Sequence, residues 1–403
     1  MNLATLYSLA PLFSNSVISY SVICYTVAMV NPFKRFMTVL QPAGGSVIGI
    51  DIGSAYLKVV QLRRKVGKAV LETYGELALG PYAGSEIGRA TNLPVPALAE
   101  ALRDLLREAH VTTANGAVAV PFASSLVTTI DMPALSEQEL SSAVPIEARK
   151  YVPVPISEVS LDWWIVPPSP REEAVPSGAQ GDASRPALAP SPKLRVLIAA
   201  VHNEAMTRFE SVMREAGITA GFFEIEIFST IRALFPQDLL PHAILDMGAA
   251  ETKLYIIDQG LLRFSHIINY GAQDLTLTLS RALNISVEEA EKLKRTSGLS
   301  VDEEASSSLR GLLDFTFVEA NRAIQSFEHR FGRTVSNMLL SGGGANLAGI
   351  GEFAAEASRV SVTRADPFAQ VEAPAFLDEI LKSVGPEFSV ALGIAFRRLQ
   401  EAG

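Results

Sequence analysis

The chain has 403 residues, of which 48% are apolar and 19% charged, and 34 basic against 43 acidic side chains leave a net charge of −9. At about 150 residues per domain this suggests two or three globular domains with a sizeable core, and the acidic balance argues against broad nucleic-acid binding. Cys24 is the only cysteine, so an intramolecular disulfide is excluded, and with five scattered histidines a structural zinc site is disfavoured.

Residues 1–33 carry no charged side chain, and Lys34 and Arg35 are the first. The run 17–30, VISYSVICYTVAMV, lacks the basic start of a secretory signal. At about 14 residues it also falls short of the roughly 20 that a membrane span needs. Three readings stay open: a start placed too early, with Met29 and Met37 as alternatives; a membrane-associated segment with Lys34 and Arg35 on the cytoplasmic side; and a signal peptide.

The folded pattern begins at Ser46. VIGIDIGSAYLKVVQLRR, residues 47–64, reads as strand, tight turn, strand, and a third strand is expected at 69–79. Residues 94–109 have helical periodicity, with Leu98, Leu102, Leu105 and Leu106 on one face. Short strands are expected at 116–121 and 126–132. A helix is expected at 136–151, opened by a capping box of Ser136 and Glu139. Residues 167–192, rich in Pro, Ser, Ala and Gly, have no apolar period and are expected to be a disordered loop. A strand at 194–201, a helix at 204–217, a strand at 222–227 and a helix at 228–234 follow. A second strand–turn–strand starts at 243. Helices are expected at 287–298 and 309–332, a strand at 335–340, and a last helix at 388–399. Strands alternate with helices, so the fold class is α/β.

One internal repeat stands out. DIGSAYLKVVQL from Asp51 lies over DMGAAETKLYII from Asp246 at an offset of 195 residues, matching Asp51 with Asp246, Gly53 with Gly248 and Lys58 with Lys253. A duplicated strand–DxG–strand unit suggests two similar domains facing each other. The glycine lets backbone approach a ligand, and the turn offers N–H groups to an anion. An Asp would repel phosphate directly, so it would act through Mg²⁺ and its waters. Two such turns could clamp a triphosphate. SGGGANLAGI, residues 341–350, follows a strand and precedes an expected helix, whose N-terminus would attract phosphate. It is not a Walker A loop, because no GK[ST] occurs in it.

These three elements, in this order, resemble the actin-like ATPase superfamily. Within its FtsA/PilM branch the chain is most similar to the PilM family of type IV pilus assembly proteins. The resemblance rests on residues 49–62, on EARKYVPVPISEVSLDW at 147–163, and on 196–218, 270–294 and 339–353. It implies two RNase H-like lobes with an inserted 1C subdomain, ATP and Mg²⁺ as ligands, and at most weak ATPase activity. The implied division is an N-terminal extension (1–45), lobe I (46–122 and 218–241), the insertion (123–217), lobe II (242–386) and a C-terminal helix on lobe I (387–403).

Position by position, the resemblance puts Asp51, Gly53, Ser54 and Lys58 at a first phosphate loop and Asp246, Gly248 and Thr252 at a second. Asp51 and Asp246 would hold Mg²⁺ through water. Gly342, Gly343 and Gly344 would pass beside the adenosine and phosphates, and Glu291 and Lys294, in an E-x-x-K-R pattern, would meet adenosine. The alternative for that pair is a solvated helix face. Glu226 would position water, or else serve as a helix N-terminal dipole partner. Ala55, Tyr56, Ala250 and Glu251 stand where small hydroxyl residues are common, which puts efficient hydrolysis in doubt.

The implied partner is the N-terminal cytoplasmic peptide of PilN, held in a groove near the insertion, at the cytoplasmic side of the inner membrane. Other pilus inner-membrane proteins and self-association are further expectations. An FtsA-like division protein would add a membrane-targeting helix after the FRRLQEAG of 396–403. A type II secretion platform protein would add a transmembrane helix and a periplasmic domain. A small-molecule kinase of the superfamily would need a catalytic Asp and a substrate pocket, for which the sequence has no clear signature.

Overall fold

The structure, a computed structural model, describes residues 45–166, 193–235 and 239–402. The N-terminal run and the Pro-rich 167–192 segment lie outside the described residues. Strands β1 (Val47–Ile52), β2 (Tyr56–Lys65) and β3 (Lys68–Ala78) form an antiparallel meander, and helix α1 (Val95–Glu108) leads to β4 (Asn115–Val120). β4 lies parallel to β1, and β8 (Thr219–Ile225) parallel to β4, completing a sheet of order β3-β2-β1-β4-β8. All six residues of β1 are buried, and the strand reads as an apolar run interrupted by Asp51.

Between β4 and β8 the chain leaves this sheet. β5 (Ser125–Pro133), helix α2 (Glu137–Ala148), β6 (Val159–Val166) and β7 (Lys193–His202) build a separate antiparallel sheet of order β5-β7-β6. Ser136 and Glu139 cap α2 reciprocally, as expected from the sequence. Leu140, Val144 and Ala148 of α2 cover one face of this sheet, against Ile130, Val196 and Ile198. The other face sends Leu197, Ala199 and Val201 into the main core. Helix α3 (Asn203–Ala216), which the sequence reading counts with the insertion, packs its Phe209, Val212 and Met213 into the same core as α1.

β8 runs directly into helix α4 (Glu226–Leu234), which crosses to the second half. There β9 (His242–Met247), β10 (Thr252–Asp258), β11 (Leu261–Ile268), β12 (Asn337–Ser341) and β13 (Ser361–Arg364) form a sheet of order β11-β10-β9-β12-β13. Its pattern of antiparallel and parallel pairs repeats that of the first sheet strand for strand. Helices α5 (Ala272–Leu283), α6 (Val287–Ser297), α7 (Glu303–Phe331) and α8 (Ile350–Ala357) cover it, with Leu309, Leu313, Phe317 and Phe327 of α7 in its core.

After the short α9 (Asp378–Val384), helix α10 (Ser389–Glu401) returns to the first sheet and packs on β1, β2, β4 and α4. Two glycines set that approach. A Cβ on Gly49 of β1 would lie 2.0 Å from the Ala391 carbonyl oxygen, and one on Gly393 would lie 1.8 Å from that of Ser229. Glu224 at the end of β8 is buried and takes a bidentate pair from Arg232 of α4 at 2.6 and 2.7 Å, with Arg397 of α10 at 2.9 Å. Burial pushes its carboxyl up, but the two guanidiniums and their hydrogen bonds outweigh this and hold it below the usual value of 4.5.

Removing the carboxylate would take the buried anion from two largely buried guanidiniums, leaving Arg397 with Glu401 and Arg232 with the Gly393 carbonyl. Glu224→Ala is expected to cost about 3–5 kcal/mol in urea unfolding of the full chain. In the wild type this contribution is present in full above the ordinary glutamate pKa of 4.5 and is lost as pH falls through the lower folded value.

Candidate functional site

The two halves face each other across a cavity of ≈ 560 Å³. The duplicated hairpins project into it. In the first, Asp51 pairs across the strands with Lys58, and the Gly53 N–H donates to the Tyr56 carbonyl at 3.0 Å. In the second, Asp246 pairs with Lys253, and the Gly248 N–H donates to the Glu251 carbonyl at 3.0 Å. A Cβ on Gly53 or Gly248 would come within 2.9 or 2.8 Å of that same carbonyl. The 195-residue repeat is therefore a repeat of turn geometry, and Asp51, Gly53, Ser54, Lys58, Asp246 and Gly248 all line the cavity.

Gly342, Gly343 and Gly344 line it too. Gly342 has φ +78°, and a Cβ there would lie 2.5 Å from the Asp246 carboxylate and 2.7 Å from the Met247 carbonyl. Two requirements, a left-handed backbone and contact with an acidic side chain, thus converge on glycine. At Gly343 a Cβ would meet nothing closer than Glu387 at 3.8 Å, so this glycine leaves bare backbone beside the cavity. The loop is anchored to the segment before α10. The Gly342 N–H and the Ser341 hydroxyl both donate to the Pro386 carbonyl, at 2.9 and 3.1 Å. The helix that the sequence places after residues 341–350 is present, as α8 from Ile350, and the loop itself contains a 3₁₀ turn at Gly343–Asn346.

The cavity holds more carboxylates than lysines. Burial pushes Asp51 up to about 7, with Lys58 opposing and Glu226 adding to the shift. Burial pushes Asp246 up to about 6 against the pull of Lys253. Glu387, also at the cavity, is driven well above the carboxylate range by burial and by the charge of Glu76. Glu251, whose charge the sequence sets beside a phosphate loop, lies 3.8 Å from the Lys253 ammonium and leans on that cation. Burial disfavours the charged forms of Lys58 and Lys253, but their acidic neighbours outweigh it and keep both charged.

Glu226 begins α4, and one of its carboxylate oxygens accepts from the Phe122 N–H at 2.6 Å and from Lys253 Nζ at 2.7 Å. Phe122 follows β4 of the first sheet and Lys253 sits on β10 of the second. Glu226 thus clasps the two halves at the cavity, a role beyond the water-positioning and helix-dipole readings of the sequence. The clue to Lys253 was its match to Lys58 in the repeat. Nothing in the sequence flagged Glu387, which comes from a turn far along the chain.

Glu291 and Lys294 line the cavity but are fully engaged with their own half. Glu291 accepts from Thr276 and Lys294 at 2.6 Å and from Arg295 at 2.9 Å, and Lys294 also donates to the Ala272 carbonyl. Both are buried, which removes the solvated-face reading. Thr252 does not line the cavity: its hydroxyl donates to the Tyr270 carbonyl at 2.8 Å. Strand alternation explains this, since Lys253 opposes Asp246 whereas Thr252 opposes Met247.

The family model of type IV pilus assembly protein PilM matches residues 49–177 and 182–399. Among solved structures, the chain is similar to one described as a PilM–PilN type IV pilus biogenesis complex, at TM-score 0.72 and 25% identity. That match covers 88% of this chain and 98% of that one. It is also similar to the ethanolamine utilization protein EutJ from Carboxydothermus hydrogenoformans, at TM-score 0.51 and 15% identity, covering 89% and 90% of the two chains, a likeness of fold alone. The actin-like α/β fold expected from the sequence is borne out.

A carboxyl whose pKa is raised by folding makes the folded state lose stability as pH climbs from its unfolded to its folded value. For Asp51 that window runs from 3.8 to about 7. Asp51→Asn is therefore expected to raise the melting temperature of the ligand-free chain at pH 8 by roughly 2–4 °C, with the difference vanishing at pH 4. Thermal melts of both proteins across that range check it.

Proposed function

We propose that this chain, which belongs to the PilM family of type IV pilus assembly proteins, is a nucleotide-binding scaffold of the pilus assembly complex that holds the N-terminal peptide of PilN. The observation that carries the nucleotide half is the convergence of two matching Asp-x-Gly turns and a bare glycine loop on one cavity of ≈ 560 Å³. Gly53 and Gly248 close their own hairpins, and the remaining N–H groups of the two turns and that of Gly343, whose bare backbone allows close approach, would face the phosphates of ATP.

The donor set also fits Mg²⁺. Asp51 and Asp246 are buried hard-oxygen ligands whose negative charge is poorly balanced without a cation. Among the described residues no group of three or more His, Cys, Asp or Glu could hold a metal on its own. Asp51 and Asp246 would therefore take Mg²⁺ through its waters, together with nucleotide oxygens. Bound there, the ion would neutralise phosphate charge. Phe122 and Lys253 both engage the same oxygen of Glu226, Oε1, so its other carboxylate oxygen would be the one to accept from a water beside the phosphates.

The partner half rests on family membership and on the PilM–PilN complex. The β5-β7-β6 sheet with α2 is the part of the chain inserted into the first half, corresponding to most of the proposed 123–217 subdomain. A groove beside it would take an extended peptide. Among the described residues no helix is long and apolar enough to cross a membrane. The likeness to a PilM–PilN complex supports a place at the inner membrane through that partner.

Isothermal titration with ATP–Mg²⁺ and then with the PilN N-terminal peptide tests both halves. The wild type is expected to bind each saturably. Gly342→Val, which drives a side chain into Asp246, is expected to weaken ATP–Mg²⁺ at least about tenfold, the equivalent of about 1.4 kcal/mol. Rapid phosphate transfer to a small substrate without peptide binding would overturn the scaffold reading.

A further inference from the structure

Side chains of the two halves meet across the rim of the cavity. Tyr56 opens β2 and Glu76 lies on β3, both in the first half, while Glu291 and Arg295 lie one turn apart on α6 of the second. The Arg295 guanidinium sits 5.0 Å from the centroid of the Tyr56 ring. Its Nη2 is 3.7 Å from the Glu76 carboxylate, and its Nε donates to Glu291 at 2.9 Å. Close by, the Ala90 N–H donates to Gln273 Oε1 across the same gap at 3.2 Å. A Cβ on Gly88 would lie 2.7 Å from the Glu291 carboxyl carbon. Tyr56, Gly88, Glu291 and Arg295 all line the cavity.

These contacts do not weigh equally. Glu291 moves with Arg295 on one helix, so their pair orients the guanidinium and does not resist opening. The Glu76 pair is long and Arg295 is half-exposed, so solvent weakens it. The Arg295 guanidinium over the Tyr56 ring is the side-chain contact that, together with the Ala90–Gln273 hydrogen bond, must break for the rim to part. Tyr56 supplies that ring at the hairpin position where the family resemblance leads one to expect a small hydroxyl residue.

We propose that Tyr56 and Arg295 form a latch across the mouth of the cleft that sets how fast a bound nucleotide leaves. The proposal rests on the nucleotide-binding reading given above. With Glu226 and Lys253 joining the halves deeper in the cavity, the rim is the side that opens, and the Tyr56–Arg295 stack is its closure. Arg295 acts on retention through Tyr56 and needs no contact with the nucleotide.

Two measurements on the full chain test it. The first is hydrogen exchange without ligand. Tyr56→Ala and Arg295→Ala are each expected to speed exchange in residues 86–91 and 288–297, and the double variant no more than either single one. The second is stopped-flow dissociation of a fluorescent N-methylanthraniloyl ATP with Mg²⁺. Tyr56→Ala and Arg295→Lys are expected to release it about tenfold faster, and Tyr56→Phe, which restores the ring, to bring the rate back towards the wild type. Unchanged exchange in both single variants overturns the latch. So does an unchanged release rate where exchange has risen. A wild-type chain that binds none of the fluorescent nucleotide overturns the gate together with the reading it rests on, and that failure is told apart by the absence of any binding signal.

Discussion

Everything around the cleft answers to one electrostatic constraint: carboxylates outnumber the lysines that face them, and most of these groups are buried. Asp51, Asp246, Glu226 and Glu251 share Lys58 and Lys253. A low-dielectric site with surplus negative charge must protonate, pair or take up a cation. The fold uses pairing at Glu226, where a backbone N–H and an ammonium meet one oxygen. It leaves Asp51 and Asp246 half-answered. The unpaired share of charge sits where the backbone turns are most open, so the most frustrated part of the molecule is also its most receptive one.

The same pairing gives the connection between halves its stiffness. Helix α4 begins at Glu226 and carries Phe228, whose ring meets Trp164 of the inserted sheet edge-on at 5.5 Å. Four residues on, Arg232 grips Glu224 and the Gly393 carbonyl. One short helix therefore touches the cavity, the inserted sheet and α10. Any movement of the halves about this helix must be felt by the inserted sheet through an aromatic contact rather than through a loop. That offers a physical basis for nucleotide state and partner binding to influence each other, provided the nucleotide favours one degree of closure.

Much of this was legible in the sequence because turn chemistry leaves a local imprint. Asp–x–Gly with a lysine seven residues after the aspartate is demanded by one hairpin geometry, so its recurrence announced the duplicated halves before any sheet was seen. Helices with caps, such as Ser136 with Glu139, were equally plain. What escaped was non-local or weakly patterned. β11 reads LLRFSHII, with buried ends and a half-buried middle, and offers no alternation to detect. β13 has four residues and is mostly exposed. Glu387 and the Glu226–Lys253 clasp depend on chain segments meeting from far apart, and no spacing rule encodes that. Thr252 shows the opposite error: the family resemblance implied a ligand contact, and the two-residue period of the strand sends its hydroxyl elsewhere.

The close approach of α10 to β1 bears on how the protein is made. The first sheet is assembled from residues that leave the ribosome early, yet one of its faces is covered by residues 389–401. Gly49 lies so tight against Ala391 and Ala395 of that helix that a side chain there would keep the helix from docking. Val47, Val60 and Leu62 thus have no apolar cover while more than three hundred further residues are being synthesised. At about 5–20 residues per second, that is a wait of tens of seconds. The second half, whose sheet and helices are nearly contiguous in sequence, can close first. The nascent chain is then expected to depend on chaperone cover over its earliest strands, and the order in which the halves mature runs opposite to the order in which they are written.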